Sequence, residues 1–146
     1  MNPEPSLLRR VVLASALYDL VVTAPFATPW TAEAVLEGIR SAHHTLGLGG
    51  EPLPAFTFTH LFFVALFGTI VTLWSVVRLV HPTAFNGAID TAGRALFSTW
   101  MAWALTQGAT RVVVGFLVLE LAWMFAQGGA ILGARRWRDG IPATAR

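Results

Sequence analysis

The sequence predicts an all-α integral membrane protein, a four-helix antiparallel bundle with an amphipathic surface helix between spans 1 and 2. Three observations carry this prediction. Hydrophobic residues make up 55% of the 146-residue chain and charged residues only 12%, about half the usual charged share of a soluble domain. So few charges cannot cover a water-facing surface, so lipid tails must solvate much of the chain. The apolar residues fall into four long runs separated by prolines, glycines and charges. All ten basic residues are arginines, and most stand at the ends of those runs. At this length the chain is one domain, residues 1–146.

Composition also excludes several functions. The net charge is +2, and the pI of 10.4 comes from scattered arginines. No basic cluster is interleaved with aromatics, so no nucleic-acid partner is predicted. The absence of cysteine removes disulfides, thiolate catalysis, Fe–S clusters and cysteine zinc sites.

Residues 1–8 read as a short polar tail. Span 1, about residues 11–27, lies in the run RRVVLASALYDLVVTAPFATPW and ends at Pro25 and Pro29, with Trp30 as an interfacial anchor. Arg9, Arg10 and the small residues at Val22-Thr23-Ala24 have the outline of a signal peptide, but Asp19 would interrupt its apolar core, so the segment is read as a retained span. Residues 31–46 form the surface helix. Glu33, Glu37, Arg40 and His44 make a polar stripe, Val35, Ile39, Ala42 and Leu46 an apolar one, and Thr31 is the predicted N-cap. The helix is too polar to span and is expected to lie on the membrane or lid the bundle. GLGGEPLP, residues 47–54, breaks the chain.

Span 2 is about residues 56–80, stopped by His81-Pro82. The loop TAFNGAI leads to span 3, about residues 90–107, with Asp90 as its expected cap and Arg94 one turn inside. A tight turn at residues 108–110 leads to span 4, about residues 111–133, and then to a basic tail. With the N-terminus inside, Arg9, Arg10, Arg78, Arg94, Arg135, Arg136, Arg138 and Arg146 are cytoplasmic and only Arg40 and Arg111 are outside. That eight-to-two bias predicts a multi-pass protein of a bacterial-type inner membrane with both termini cytoplasmic.

Three ionisable side chains fall inside apolar runs: Asp19, His60 and Glu120. A carboxylate at the centre of a span costs roughly 2.5–3.5 kcal/mol on insertion scales, so it needs a partner or a purpose. Asp19 lies nine residues past Arg10 and Glu120 nine past Arg111, each about 13 Å deep at 1.5 Å per residue. In a core about 30 Å thick both approach the midplane. The two acids are expected to meet if spans 1 and 4 are neighbours, with His60 one or two turns above them. Tyr18 shares the Asp19 face, Trp123 the Glu120 face, and Trp100 and Trp103 occupy one face of span 3. Pointed together, Asp19, Glu120, Tyr18, His60, Trp100, Trp103 and Trp123 would line an aromatic pocket with two carboxyls. In a low dielectric such a pair does not ionise twice cheaply, and it is expected to hold a proton between its members. The plainer alternative is packing glue, each acid bonded to a polar group of a neighbouring helix.

Other features are assigned structural roles. Asp90, Arg94 and Arg78 read as a cap with an ion pair at the inner surface. His43 and His44, with Glu33, Glu37 and His60, are weak metal-ligand candidates because adjacent histidines point apart on a helix. His60 and His81 lie 21 residues apart on one helix, about 31 Å, and cannot share a haem iron. No cofactor or metal is therefore predicted. Gly129 and Gly133 form a GxxxG that offers a homodimer contact. The glycines at 47–50 lack a P-loop lysine, and no nucleophile elbow is present.

Four spans, a surface helix after the first, and the buried acids Asp19 and Glu120 resemble small bacterial membrane proteins of the DoxX-like kind. They also resemble the EXPERA group of sterol-binding and sterol-isomerising proteins, in which acidic residues line a pocket inside a small bundle. Small multidrug transporters likewise have four spans and an acid in the first. These are resemblances of architecture and assign no residue a role. The two acids at matching depth among aromatic residues leave three expected functions. The first is a binding or accessory membrane protein with an intramembrane pocket for a small amphiphile or lipid. The second is a lipid or sterol-like isomerase or other acid–base enzyme, and the third a proton-coupled small-molecule transporter.

The native chain has no cysteine, so single cysteines report topology directly. A membrane-impermeant maleimide is expected to label Glu51→Cys in intact spheroplasts and Thr83→Cys only after lysis. The reverse pattern would invert the orientation.

Overall fold

The computed structural model describes residues 6–139. Five α-helices follow in the order α1 (Ser6–Thr23), α2 (Pro29–Thr45), α3 (Phe58–Val80), α4 (Ala84–Thr106) and α5 (Val112–Asp139), with a 3-10 turn (Ala24–Ala27) after α1. The fold is all-α, and two helices, α3 and α5 as far as Arg136, are long and apolar enough to cross a membrane. The segment Leu7–Ala27 passes the same test only together with α2, from which it is bent by 108°. α4 is long enough, but it carries Asp90 and Arg94 in mid-helix.

The helix ends follow local chemistry. Pro25 and Pro29 have no N–H to continue α1, and the chain turns sharply at them. Thr28 is extended and caps α2 by accepting from the Thr31 N–H at 3.3 Å. The cap is therefore Thr28 and not Thr31, because Pro29 fills the first helical position. At α4, Thr83 accepts from the Asn86 N–H at 3.2 Å, directly after Pro82. The segment expected to be a loop is thus the opening of the helix, and Asp90 lies two turns inside it rather than capping it. α5 continues past Gly133 through Arg135 and Arg136 to Asp139. Arg146 and the side chain of Arg138 lie outside the described residues.

α1 is the central helix. It packs against α3 on one side and α5 on the other, and α5 packs against α4. At the end where α1 begins, Leu8 and Val12 meet Ile131 and Ala134 of α5, backed by Ala84 and Ala88 of α4. Gly87 permits this approach, since a Cβ there would stand 2.9 Å from the Val12 Cγ2. At the far end of the bundle Gly68 of α3 lies against the Phe26 carbonyl of the 3-10 turn, leaving no room for a Cβ.

The connections at that far end are tied together. His43 of α2 is buried and shares a 2.7 Å hydrogen bond between its Nδ1 and the hydroxyl of Thr110. The Glu51 N–H donates to the Gly108 carbonyl at 2.7 Å and the Arg111 N–H to the Gly49 carbonyl at 2.9 Å. Gly50 and Gly108 adopt φ values of 88° and 92°, which only glycine takes without strain. The buried face of α2 is Ala32, Leu36 and His43, so the helix is rotated from the expected apolar stripe and Leu46 faces out.

Large apolar side chains cover the outside, among them Phe62, Phe67 and Ile70 of α3, Leu96 of α4 and Phe125 and Leu132 of α5. An apolar exterior of this extent suits hydrocarbon rather than water. Gly129 and Gly133 also face outward, with open space beside them.

Gly68→Ala is expected to destabilise the protein by about 1–3 kcal/mol, because the clash is with rigid backbone. Gly93→Ala, with nothing near its Cβ position, is expected to be neutral or mildly stabilising. Unfolding of both variants in detergent micelles checks the contrast.

Candidate functional site, a buried arginine–carboxylate network

Each helix of the bundle contributes polar residues to one interior face. On α4 the inward residues are Gly87, Asp90, Arg94 and Ser98, spaced 3, 4 and 4. α1 supplies Ser15 and Asp19, α3 supplies Trp74, Ser75 and Arg78, and α5 supplies Glu120 and Gln127. Helical spacing puts each set on one side. Removal from lipid turns that side inward, since an unpaired charge in hydrocarbon is prohibitively costly.

Arg94 is the hub. Its Nε donates to Asp90 at 3.0 Å, its Nη1 to Glu120 at 2.8 Å, and its Nη2 to Asp19 at 2.6 Å and to the Ser15 hydroxyl at 2.9 Å. One guanidinium thus joins α1, α4 and α5. Arg78 adds α3, with Nη2 donating to Asp19 at 2.5 Å and Nη1 pairing with Asp90 at 2.8 Å. Asp90 is also held by the Trp74 indole N–H at 3.1 Å and the Gln127 amide at 2.5 Å. The Ser15 hydroxyl accepts from both arginines and from Gln127. The planar fork of five N–H donors suits arginine to this multiple pairing, which a lysine could not reproduce.

Three carboxylates face two guanidiniums. Asp19 and Asp90 are each bound by both arginines, whereas Glu120 is bound by Arg94 alone. The Glu120 side chain keeps 15% of its surface exposed, and among the described residues its Oε1 has no partner. Beside it, Trp123 stands one turn further along α5 and packs at a tilt against Tyr18 of α1 with ring centroids 5.7 Å apart. Several buried polar atoms also lack partners, namely Thr72 Oγ1, Arg78 Nε, Ser98 Oγ and Gln127 Oε1.

The predicted residues are only partly gathered here. Asp19 and Glu120 meet through Arg94, and Tyr18 and Trp123 flank them. His60 does not reach the network. It is exposed, and its Nδ1 accepts from the Thr57 N–H at 3.2 Å, closing the first turn of α3. Trp100 and Trp103 point outward, 62% and 58% exposed. The expected aromatic pocket does not form, because the charged stripe of α4 claims the interior and leaves the opposite face to the tryptophans. Arg94 stands between Asp19 and Glu120, in place of the proton expected to be shared by the two acids. Asp90, Arg94 and Arg78 form the centre of the bundle rather than an ion pair at its surface. Gln127, on the same face of α5 as Glu120, and Trp74 of α3 join them. The 3, 4, 4 spacing along α4 was the available signal.

An open apolar groove of about 260 Å³, lined by residues that include Pro29, Phe58, Leu61 and Phe62, shares no residue with the network. Among the described residues no group of three or more histidines or acids is placed to hold a metal ion. No family model, curated protein or solved structure matches the chain.

Removing one partner from a buried ion cluster leaves uncompensated charge, at about 3–5 kcal/mol. Arg94→Gln is expected to lose stability on that scale in detergent unfolding, and adding Asp19→Asn to recover part of it. If the two substitutions simply add, the ion pair does not couple the helices.

Proposed function

We propose that the protein is a non-catalytic binding or accessory protein of a bacterial-type inner membrane. It crosses the membrane four times and takes a small amphiphile by its polar end at Glu120. What carries this proposal is the surplus of one carboxylate over the guanidiniums, together with the position of Glu120 at the open edge of an otherwise closed network. The apolar cluster around Val12 and Ile131 seals one end of the bundle, and the ties between α2 and the α4–α5 turn cover the other. Glu120 is then approached from the flank, where an amphiphile's tail can remain in the bilayer. Four spans follow if α1 and α4, whose charges face inward, cross beside α3 and α5. Arg9, Arg10, Arg135 and Arg136 then flank the bundle at the inner surface, with Arg40 and Arg111 outside. Arg78 and Arg94 no longer count toward the bias, being buried.

Acid–base catalysis is less well supported. Asp19 and Asp90 are buried and each held by both arginines, and His60 lies away from both.

The test uses short amphiphiles of one chain length, octanol, octylammonium and octanoate, titrated calorimetrically into the protein in maltoside micelles. At least one is expected to bind saturably and to lose tenfold or more of its affinity in Glu120→Gln. The proposal fails if all three titrate as they do into empty micelles.

A further inference from the structure

We infer that the amphiphile is a lipophilic monocation with N–H donors, a primary or secondary ammonium, and that it exchanges with a proton at Glu120. This rests on the amphiphile-binding proposal above and names the chemical class of its ligand.

Charge is the first reason. Asp19 and Tyr18 of α1, Asp90 and Arg94 of α4 and Arg78 of α3 are the titratable and charged groups gathered around Glu120. With the carboxylates and guanidiniums ionised, one negative charge is left over. In a low-dielectric interior an uncompensated charge is costly, so a single positive charge completes the cluster. A neutral amphiphile leaves the surplus in place, and an anion doubles it.

The second reason is the surroundings of Glu120. Trp123 stands one helical turn along α5 and packs at a tilt against Tyr18 of α1, and aromatic faces attract organic cations most when water is excluded. A hydrated metal ion gains little from such walls, whereas an alkylammonium matches both the carboxylate and the rings.

The third reason is independent of both. Ser98 is 7% exposed, and its hydroxyl has no hydrogen-bond partner. A Cβ on Gly87 would touch Ile131 and one on Gly128 would touch Thr91. Continuing that antiparallel register brings Ser98 level with Glu120. A buried hydroxyl without a partner is thus at the same height as a carboxylate oxygen without one. Both can accept hydrogen bonds, and an ammonium supplies donors to both at once. A quaternary ammonium carries the charge but cannot reach Ser98 through N–H.

A proton on Glu120 also removes the surplus charge. Proton and ammonium are therefore alternatives, and acid weakens ligand binding because protonation cancels the charge that the ligand satisfies.

The experiment titrates octylammonium, octyltrimethylammonium, octanol and octanoate into the full chain in maltoside micelles. Octylammonium is expected to bind at least tenfold more tightly than octanol. Its affinity is expected to fall as the pH is lowered, because protonation of Glu120 competes with the ligand. Glu120→Gln abolishes the cation preference. Ser98→Ala, a milder change, weakens octylammonium several-fold and leaves octyltrimethylammonium unchanged. A short-chain phosphatidylethanolamine that binds as tightly as octylammonium identifies a lipid headgroup as the source of the ammonium, and weaker binding points to a free amine. Octanol equal to octylammonium, an affinity indifferent to pH, or an ammonium preference untouched by Ser98→Ala overturns the cation assignment while leaving an amphiphile site. Four titrations indistinguishable from empty micelles overturn both.

Discussion

The fold depends on one guanidinium. Arg94 cannot be buried alone, so α1, α4 and α5 must each present an acceptor to it at the same level. That requirement sets the rotation of α4, turns Trp100 and Trp103 outward and fixes the level at which Asp19 and Glu120 meet. Arg78 extends the same demand to α3. In hydrocarbon the apolar surfaces of helices gain little by touching one another, so polar contacts carry more of the specificity. The network therefore chooses one arrangement of the helices among many of similar apolar contact.

Ion clusters of this kind cost free energy to bury, and a well-packed apolar core can be equally stable. The retained charge has a second consequence here, because it does not cancel. Asp19 and Asp90 are saturated by arginine, whereas Glu120 has one partner and an open edge. Firm pairing at the centre joins the helices, and looser pairing at the rim leaves Glu120 with Arg94 alone.

The two ends of the bundle contribute by closing it. Leu8, Val12 and Ile131 form a dry layer on one side of the network. On the other side, the bend at Pro25 and Pro29 lays α2 across the bundle, and His43 and Thr110 tie it to the start of α5. Gly68 and Gly87 make both closures possible by letting backbones approach where a side chain would intervene. Polar groups between two closed ends communicate with the surroundings through the flank, where Glu120 stands.

The sequence by itself determined that the chain is all-helical with runs long and apolar enough to cross a membrane, and that it carries costly acids within its helices. These follow from local properties: apolar run length and prolines that end helices. It located Asp19 and Glu120 and placed them at one depth, since rise per residue is a property of a single helix. It also held the stripe of Asp90, Arg94 and Ser98, but a stripe does not state what it faces. An ion pair four residues apart on one helix looks the same at a membrane surface as in a core. The extra turns of α4 before Asp90, which Thr83 begins, moved that pair inward. Only the tertiary structure decided that the two arginines pair with acids on α1 and α5, that His60 serves its own helix end, and that Glu120 is the carboxylate left over. The reason is physical: a charge takes its role from its partners, and these stand as many as 79 residues away in the chain.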